Sequence, residues 1–245
     1  MTNFVLVRPV NPYGVVVYDN VIRADQCTRL RDYFDAAPKT QQSTTINGKI
    51  NGKPRTFEEI LLDENVGAAN ELLGNVLRRV RGSLDKYFDE YIAEPNFRQQ
   101  VKEGCYSLQP RMKKYNVGDD FPIHTDDASL LSMTRRFAYI LYLNDDFEGG
   151  STIFRSGTSE VTRVQPKAGS LLVFPIHPIY MHEGERIERG SKYVLNGFAT
   201  ILTSQLQVQS PDGRPLGSKR EAVDLEIRAF ANELMRVAGI LFSER

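Results

Sequence analysis

The residues able to do chemistry are few in this chain, and they sit close together. There are three histidines, His124, His177 and His182, and Asp126 stands two residues after the first. On a β-strand, residues i and i+2 project from one face, so His124 and Asp126 can offer a neutral nitrogen and an anionic oxygen to one cation. A second histidine from a distant strand would complete a set of two histidines and one carboxylate. That set suits non-haem Fe(II), because three protein ligands leave neighbouring coordination positions open. Alone, His-x-Asp is a weak signal, and spacing does not choose between His177 and His182 as the third ligand. With only Cys27 and Cys105, neither a disulfide framework nor a four-cysteine zinc site can be built.

These residues need rigid strands, and the sequence supplies them. From about residue 104 the pattern is strand-like up to about residue 204, with candidate strands at 104–115, 121–126, 136–143, 151–155, 160–165, 170–175 and 192–203. Turn clusters separate them, and no helical gaps intervene, which indicates an antiparallel barrel or sandwich. A further strand is predicted at 13–18. A helix follows it, with Cys27, Leu30 and Phe34 at helical spacing and Asp25 as a candidate cap. From Glu64 to Ala93, apolar residues recur every three or four positions, predicting a long amphipathic helix with a break near Gly82. Residues 38–57 are polar and turn-rich, and long enough to act as a lid. After a polar connector at 205–218, Val223, Ile227, Phe230, Leu234, Val237 and Leu241 form the stripe of one more helix.

Composition narrows the function classes. Lys+Arg and Asp+Glu both number 31, so there is no global basic field and no nucleic-acid partner is expected. No apolar run is long enough for a membrane helix. A signal-like N-terminus is lacking and cysteines are few, which predicts a cytoplasmic protein.

Longer runs around the histidines are more specific than the pair itself. The segment Tyr115-Asn-Val-Gly-Asp-Asp-Phe-Pro-Ile-His124-Thr-Asp126 resembles the Y-x-x-G-x-x-F-x-x-H-x-D run of the prolyl 4-hydroxylase-like 2-oxoglutarate/Fe(II)-dependent dioxygenases. His182, followed ten residues later by Lys192, resembles that family's distal histidine and basic residue, with Gly184 and Gly190 in register. Residues 143–154 and 164–174 resemble its intervening hairpin and strand. The likeness covers about residues 13–203 and is most specific from 106 to 200.

This resemblance implies a mainly β fold: a double-stranded β-helix (jelly-roll, cupin-like) core with supporting N-terminal helices and a C-terminal helix. Residues 1–204 would form the dioxygenase domain, with its catalytic core at 104–203, and 205–245 a helical extension. It implies Fe(II) on His124, Asp126 and His182, with 2-oxoglutarate and O₂ as co-substrates and ascorbate as a candidate reductant. Lys192, Tyr115 and Thr152 would hold 2-oxoglutarate. A lysine buried on a barrel strand needs an anion, which fits that role. His177 lies beside Pro178 in an expected loop. Related halogenating enzymes have a small residue where Asp126 stands, so hydroxylation is implied.

The substrate side departs from the family pattern. Phe198 replaces a frequent Trp, and Arg186 a frequent Pro. Arg111, Arg135, Arg186 and Phe198 are candidate substrate contacts, since arginine binds carboxylates in a fork. The expected activity is hydroxylation of a prolyl residue in a peptide or protein, with release of succinate and CO₂. A free amino acid or other small metabolite is the alternative substrate. An inactive barrel serving as a binding scaffold is the alternative of another class, and the C-terminal stripe offers a homodimer surface.

Overall fold

A computed structural model of the chain describes residues 7–9, 14–37, 40–41, 49–50, 53–54, 57–62, 70–102, 106–108, 110–127 and 135–201. The helix and dimer surface read at 205–245, most of the 38–57 segment and the start of the 64–93 helix lie outside these residues. Among the described residues, no helix is long and apolar enough to cross a membrane.

Strands β1 (Val7–Pro9) and β2 (Val16–Tyr18) precede α1 (Ala24–Ala36). Four short strands follow: β3 (Thr40–Gln41), β4 (Lys49–Ile50), β5 (Lys53–Pro54) and β6 (Glu58–Leu61). Helices α2 (Glu71–Tyr91) and α3 (Pro95–Lys102) come next. The remaining strands are β7 (Tyr106–Ser107), β8 (Arg111–Tyr115), β9 (Phe121–His124), β10 (Arg135–Tyr142), β11 (Glu148–Gly149), β12 (Thr152–Ser156), β13 (Ser159–Val164), β14 (Leu171–Pro175), β15 (Met181–Gly184), β16 (Ile187–Arg189) and β17 (Lys192–Ile201).

The major sheet runs β1-β2-β14-β10-β17-β8-β6-β3, and β7 also pairs with β17. The minor sheet runs β13-β12-β15-β9, and every pairing is antiparallel. Strand alternation decides what each face buries. Leu171, Val173, Tyr193 and Leu195 pack with Leu30, Phe34, Leu73, Val80 and Leu84 of the helices. Their neighbours Leu172, Phe174, Val194 and Phe198 pack instead with Phe154 and Val164 of the minor sheet. Helices thus cover one face of the major sheet, and the minor sheet closes over the other. This is the expected mainly β, jelly-roll architecture with helical support.

Local physics accounts for the departures from expectation. Helix α2 is capped by Asn70, whose side chain accepts the Leu73 N–H at 3.2 Å, and it runs unbroken through Gly82. One helical glycine costs about 1 kcal/mol, which the buried stripe on both sides of it outweighs. Asp25 does not cap α1: it lies in the first turn and pairs with Arg23 at 2.8 Å, while Gln26 Oε1 accepts the Arg23 N–H. The expected 104–115 strand is interrupted around Pro110. The strands β1, β6, β11, β15 and β16 were not foreseen. Within the 38–57 segment, the β4–β5 hairpin pairs, and β4 lies against β9.

Candidate metal centre

The Tyr115–Asp126 run folds as a strand, a tight turn and a second strand. At the turn, Asp119 N–H donates to the Asn116 carbonyl at 2.9 Å, and its carboxylate accepts the Asn116 N–H at 2.7 Å. Gly118 takes φ +92°, a left-handed conformation that favours glycine, and its N–H donates to the Ile187 carbonyl. This turn sends the chain back along β9, which ends at His124. Asp126 therefore lies in the turn that follows the strand, where two consecutive aspartates favour a bend, and not on the strand as the i, i+2 reading assumed.

Pairing between β9 and β15 places His182 directly opposite His124. Their ring centroids are 4.2 Å apart. Asp126 reaches both rings, with Oδ1 3.5 Å from His124 Nε2 and Oδ2 3.6 Å from His182 Nε2. One ligand atom from each residue lies within 4.8 Å of the other two.

The ring nitrogens facing away from this cluster are held by carbonyls. His124 Nδ1 bonds to the Pro122 carbonyl at 2.9 Å, and His182 Nδ1 to the Tyr180 carbonyl at 3.0 Å. A carbonyl can only accept, so Nδ1 carries the proton in both rings and each Nε2 keeps a lone pair for a cation. Burial, with His124 close by, pushes His182 down to about 4, so it stays neutral at pH 7. Burial alone would raise the Asp126 carboxyl; the neighbouring His124 and His182 rings, with Lys113, hold it below its ordinary range. Two imidazole nitrogens and one carboxylate fit a divalent iron.

Lys192 opens β17 opposite Tyr115 and is buried. Its Nζ donates to the Gly150 carbonyl at 2.6 Å and lies 5.8 and 5.4 Å from the rings of Tyr115 and Tyr142. Burial, with a smaller contribution from Lys113, pushes Lys192 down to about 7 against the opposing pull of Glu185. Gly150 has φ +70°, and a Cβ there would fall 2.7 Å from both Ile187 and Phe147, so glycine is needed where the carbonyl meets the lysine. Thr152 is buried, and its hydroxyl shares a 2.8 Å hydrogen bond with Tyr142 Oη. Sequence reasoning missed Tyr142, whose placement depends on the β10–β17 pairing.

Of the four candidate substrate contacts, the structure groups three. The Arg135 guanidinium lies 3.9 Å from the Phe198 ring centroid and that of Arg111 5.4 Å. Arg135 Nη1 also donates to the Asp126 carbonyl at 3.4 Å. Arg186 is exposed and lies over the Gly118 turn. His177 is exposed in the loop before β15, apart from the triad. Lys113 and Glu59 carry no signal in the sequence; β6–β8 pairing places them opposite each other, 3.8 Å apart and buried.

Residues 110–200 match the 2OG-Fe(II) oxygenase superfamily. The chain is 22% identical to prolyl 3-hydroxylase 1 of Gallus gallus over 236 positions, covering 86% of this chain and 32% of that protein. It is 24% identical to prolyl 3-hydroxylase 1 of Homo sapiens, covering 76% of this chain and 28% of that one. The chain thus spans about a third of the length of these relatives. Among solved structures, the viral collagen prolyl hydroxylase of Paramecium bursaria Chlorella virus-1 superposes with TM-score 0.55 at 16% identity, covering 80% of this chain and all of that one. A Pseudomonas putida prolyl-4-hydroxylase superposes with TM-score 0.52 at 19% identity, covering 78% and 94%. The resemblance read from the sequence is borne out at that level: residues 110–200 match the 2OG-Fe(II) oxygenase superfamily, and the fold is shared with solved prolyl hydroxylases.

Proposed function

We propose that the chain is an Fe(II)- and 2-oxoglutarate-dependent hydroxylase. The observation that carries this reading is the joint placement of His124, Asp126 and His182, ligand atoms within 4.8 Å, with one buried lysine at the start of β17. His124 and His182 would hold the iron through Nε2, and Asp126 through its carboxylate. Lys192 would receive the distal carboxylate of 2-oxoglutarate, exchanging its contact with the Gly150 carbonyl for an anion. Tyr115 and the Thr152 hydroxyl would orient the same co-substrate. When bound, iron with 2-oxoglutarate and O₂ supplies the oxidising power to hydroxylate an unactivated C–H, with release of succinate and CO₂. Phe154 and Phe174 pack around His182, with centroids 5.7 and 4.8 Å from its ring, and help exclude water.

By analogy with the relatives, the substrate is a prolyl residue of a peptide or protein. A free amino acid or other small metabolite is the second reading, favoured by the partly buried arginines beside Phe198. Anaerobic titration with Fe(II) and 2-oxoglutarate tests the common core. A weak visible absorption band that saturates with both components is expected, and is lost in His182→Ala. A protein that binds neither is a scaffold, not a hydroxylase.

A further inference from the structure

The inner face of the major sheet can be read row by row, because residues paired across antiparallel strands share a face. Lys192 pairs with Tyr115, Val194 with Lys113, and Asn196 with Arg111 on β8. On the other side of β17, Phe198 pairs with Ala138 and Thr200 with Arg135 on β10. Asn196, Phe198 and Thr200 thus point the same way as Lys192, flanked by an arginine from each neighbouring strand. At the strand rise of about 3.3 Å per residue, Phe198 lies roughly 20 Å along β17 from Lys192. An anion at the arginines is therefore distinct from the one expected at the lysine.

The polar groups of this end are under-used. Among the described residues, Arg111 Nε, Arg135 Nε, Asn196 Oδ1 and Thr200 Oγ1 are buried without a hydrogen-bond partner. Arg111 has Glu59 at 3.6 Å, beyond a good hydrogen bond, and Arg135 has the Asp126 carbonyl. Native structures leave few such atoms, and a cluster of them on one face marks a place where a ligand completes the bonding. Among the described residues, the cations Arg111, Lys113 and Arg135 share this end with Glu59, which lies 3.6 Å from Arg111 and 3.8 Å from Lys113. Two guanidiniums beside an aromatic ring fit a planar carboxylate better than a cation or a neutral group.

We propose that Arg111 and Arg135 hold a carboxylate of the substrate beside Phe198, so that this chain hydroxylates molecules bearing a carboxylate close to the reacting carbon. The proposal rests on the hydroxylase reading and narrows its substrate class. A free amino acid supplies such a group as its α-carboxylate; a peptide supplies it as an acidic side chain beside the target residue.

Matched pairs decide it. One arm sets free L-amino acids, proline among them, against their carboxamides. The other sets blocked prolyl peptides with Asp or Glu flanking proline against the same peptides with Asn or Gln. Binding is read by calorimetry with 2-oxoglutarate and Zn(II), which does not turn over, and succinate formation is read with Fe(II). At least one carboxylate should bind about tenfold or more above its amide, about 1.4 kcal/mol, and the arm in which it does so identifies the source. Arg135→Gln and Arg111→Gln should erase that preference, with the Lys variants restoring only part of it. If no carboxylate is preferred over its amide, or the preference survives in both Gln variants, the proposal is overturned. The wild-type comparison needs no variant to fold. If the Fe(II) protein never decarboxylates 2-oxoglutarate, the hydroxylase reading falls instead, while the Zn(II) binding comparison still decides the pocket.

Discussion

The inner face of β17 has a cation at each end, and the two ends are built on different terms. At the Lys192 end, one ammonium is sealed in and donates to the carbonyl of Gly150, whose φ of +70° favours glycine. At the Phe198 end, two guanidiniums sit half-buried with nitrogens that find no partner among the described residues. A sealed lysine suits a small anion. An end with unspent donors suits a ligand that brings its own acceptors. The His182–Lys192 pattern ends at the first of these; Phe198, which stands where the resembled family often has Trp, lies at the second.

The largest expected effect lies between the two ends. Alanine at His124, Asp126 or His182 should each remove iron-dependent turnover to background while leaving the melting temperature within a few degrees, since three donors on one side are the minimum that holds the metal. His177→Ala should keep most activity. Succinate formation with each purified variant checks this. A dead His177→Ala beside an active His182→Ala would move the third ligand and undo the placement of both ends.

A smaller effect is expected at the lysine. Lys192→Ala should raise KM for 2-oxoglutarate by about tenfold or more, equivalent to roughly 1.4 kcal/mol of lost binding, and Lys192→Arg should do less harm. The pH dependence sharpens the comparison. Burial pushes Lys192 down to about 7, so in the ligand-free protein its charged form is present below that pH and lost above it. The incoming carboxylate needs the ammonium, so 2-oxoglutarate binding should take up a proton above pH 7. Its affinity should then fall with rising pH by up to about tenfold per unit. The arginine variant should show no such fall over the same range, because a guanidinium stays charged. A pH-independent affinity in the wild type would place the co-substrate anchor elsewhere.

What was legible in the sequence was local. The Tyr115–Asp126 run folds as one strand-turn-strand unit, and the spacing to Lys192 spans one strand and two turns, so both survive as patterns in a single chain. His182 was identified by that spacing although its own strand was not foreseen: Met181–Gly184 is four residues long and lacks β-branched side chains. Lys113, Glu59 and Tyr142 left no trace because strands distant in sequence bring them to the site. Arg111 and Arg135 were named for their chemistry alone, and only the register of β8, β10 and β17 sets them on one face. Arg186, chosen on the same grounds, lies exposed over a turn because no strand carries it inward.

The smallest expected effect concerns the hydrogen bond between Thr152 and Tyr142, which borders the lysine. Both hydroxyls are buried and each has the other as partner at 2.8 Å. Removing one leaves a buried polar group unsatisfied, so Thr152→Val or Tyr142→Phe alone should cost about 1–3 kcal/mol of stability. Removing both takes away the bond and the orphaned atom together, so the double variant should be more stable than the sum of the single losses predicts. If the pair serves packing alone, KM for 2-oxoglutarate should stay at the wild-type value in all three proteins. If the Thr152 hydroxyl also orients the co-substrate, KM should rise about two- to fivefold in Thr152→Val, a loss of less than about 1 kcal/mol. It should then stay raised in the double variant even where stability has returned. Denaturant unfolding and steady-state kinetics on the same three proteins separate the cases. A KM that recovers along with stability would assign the hydroxyl pair to the core and leave Lys192 and Tyr115 as the groups facing 2-oxoglutarate.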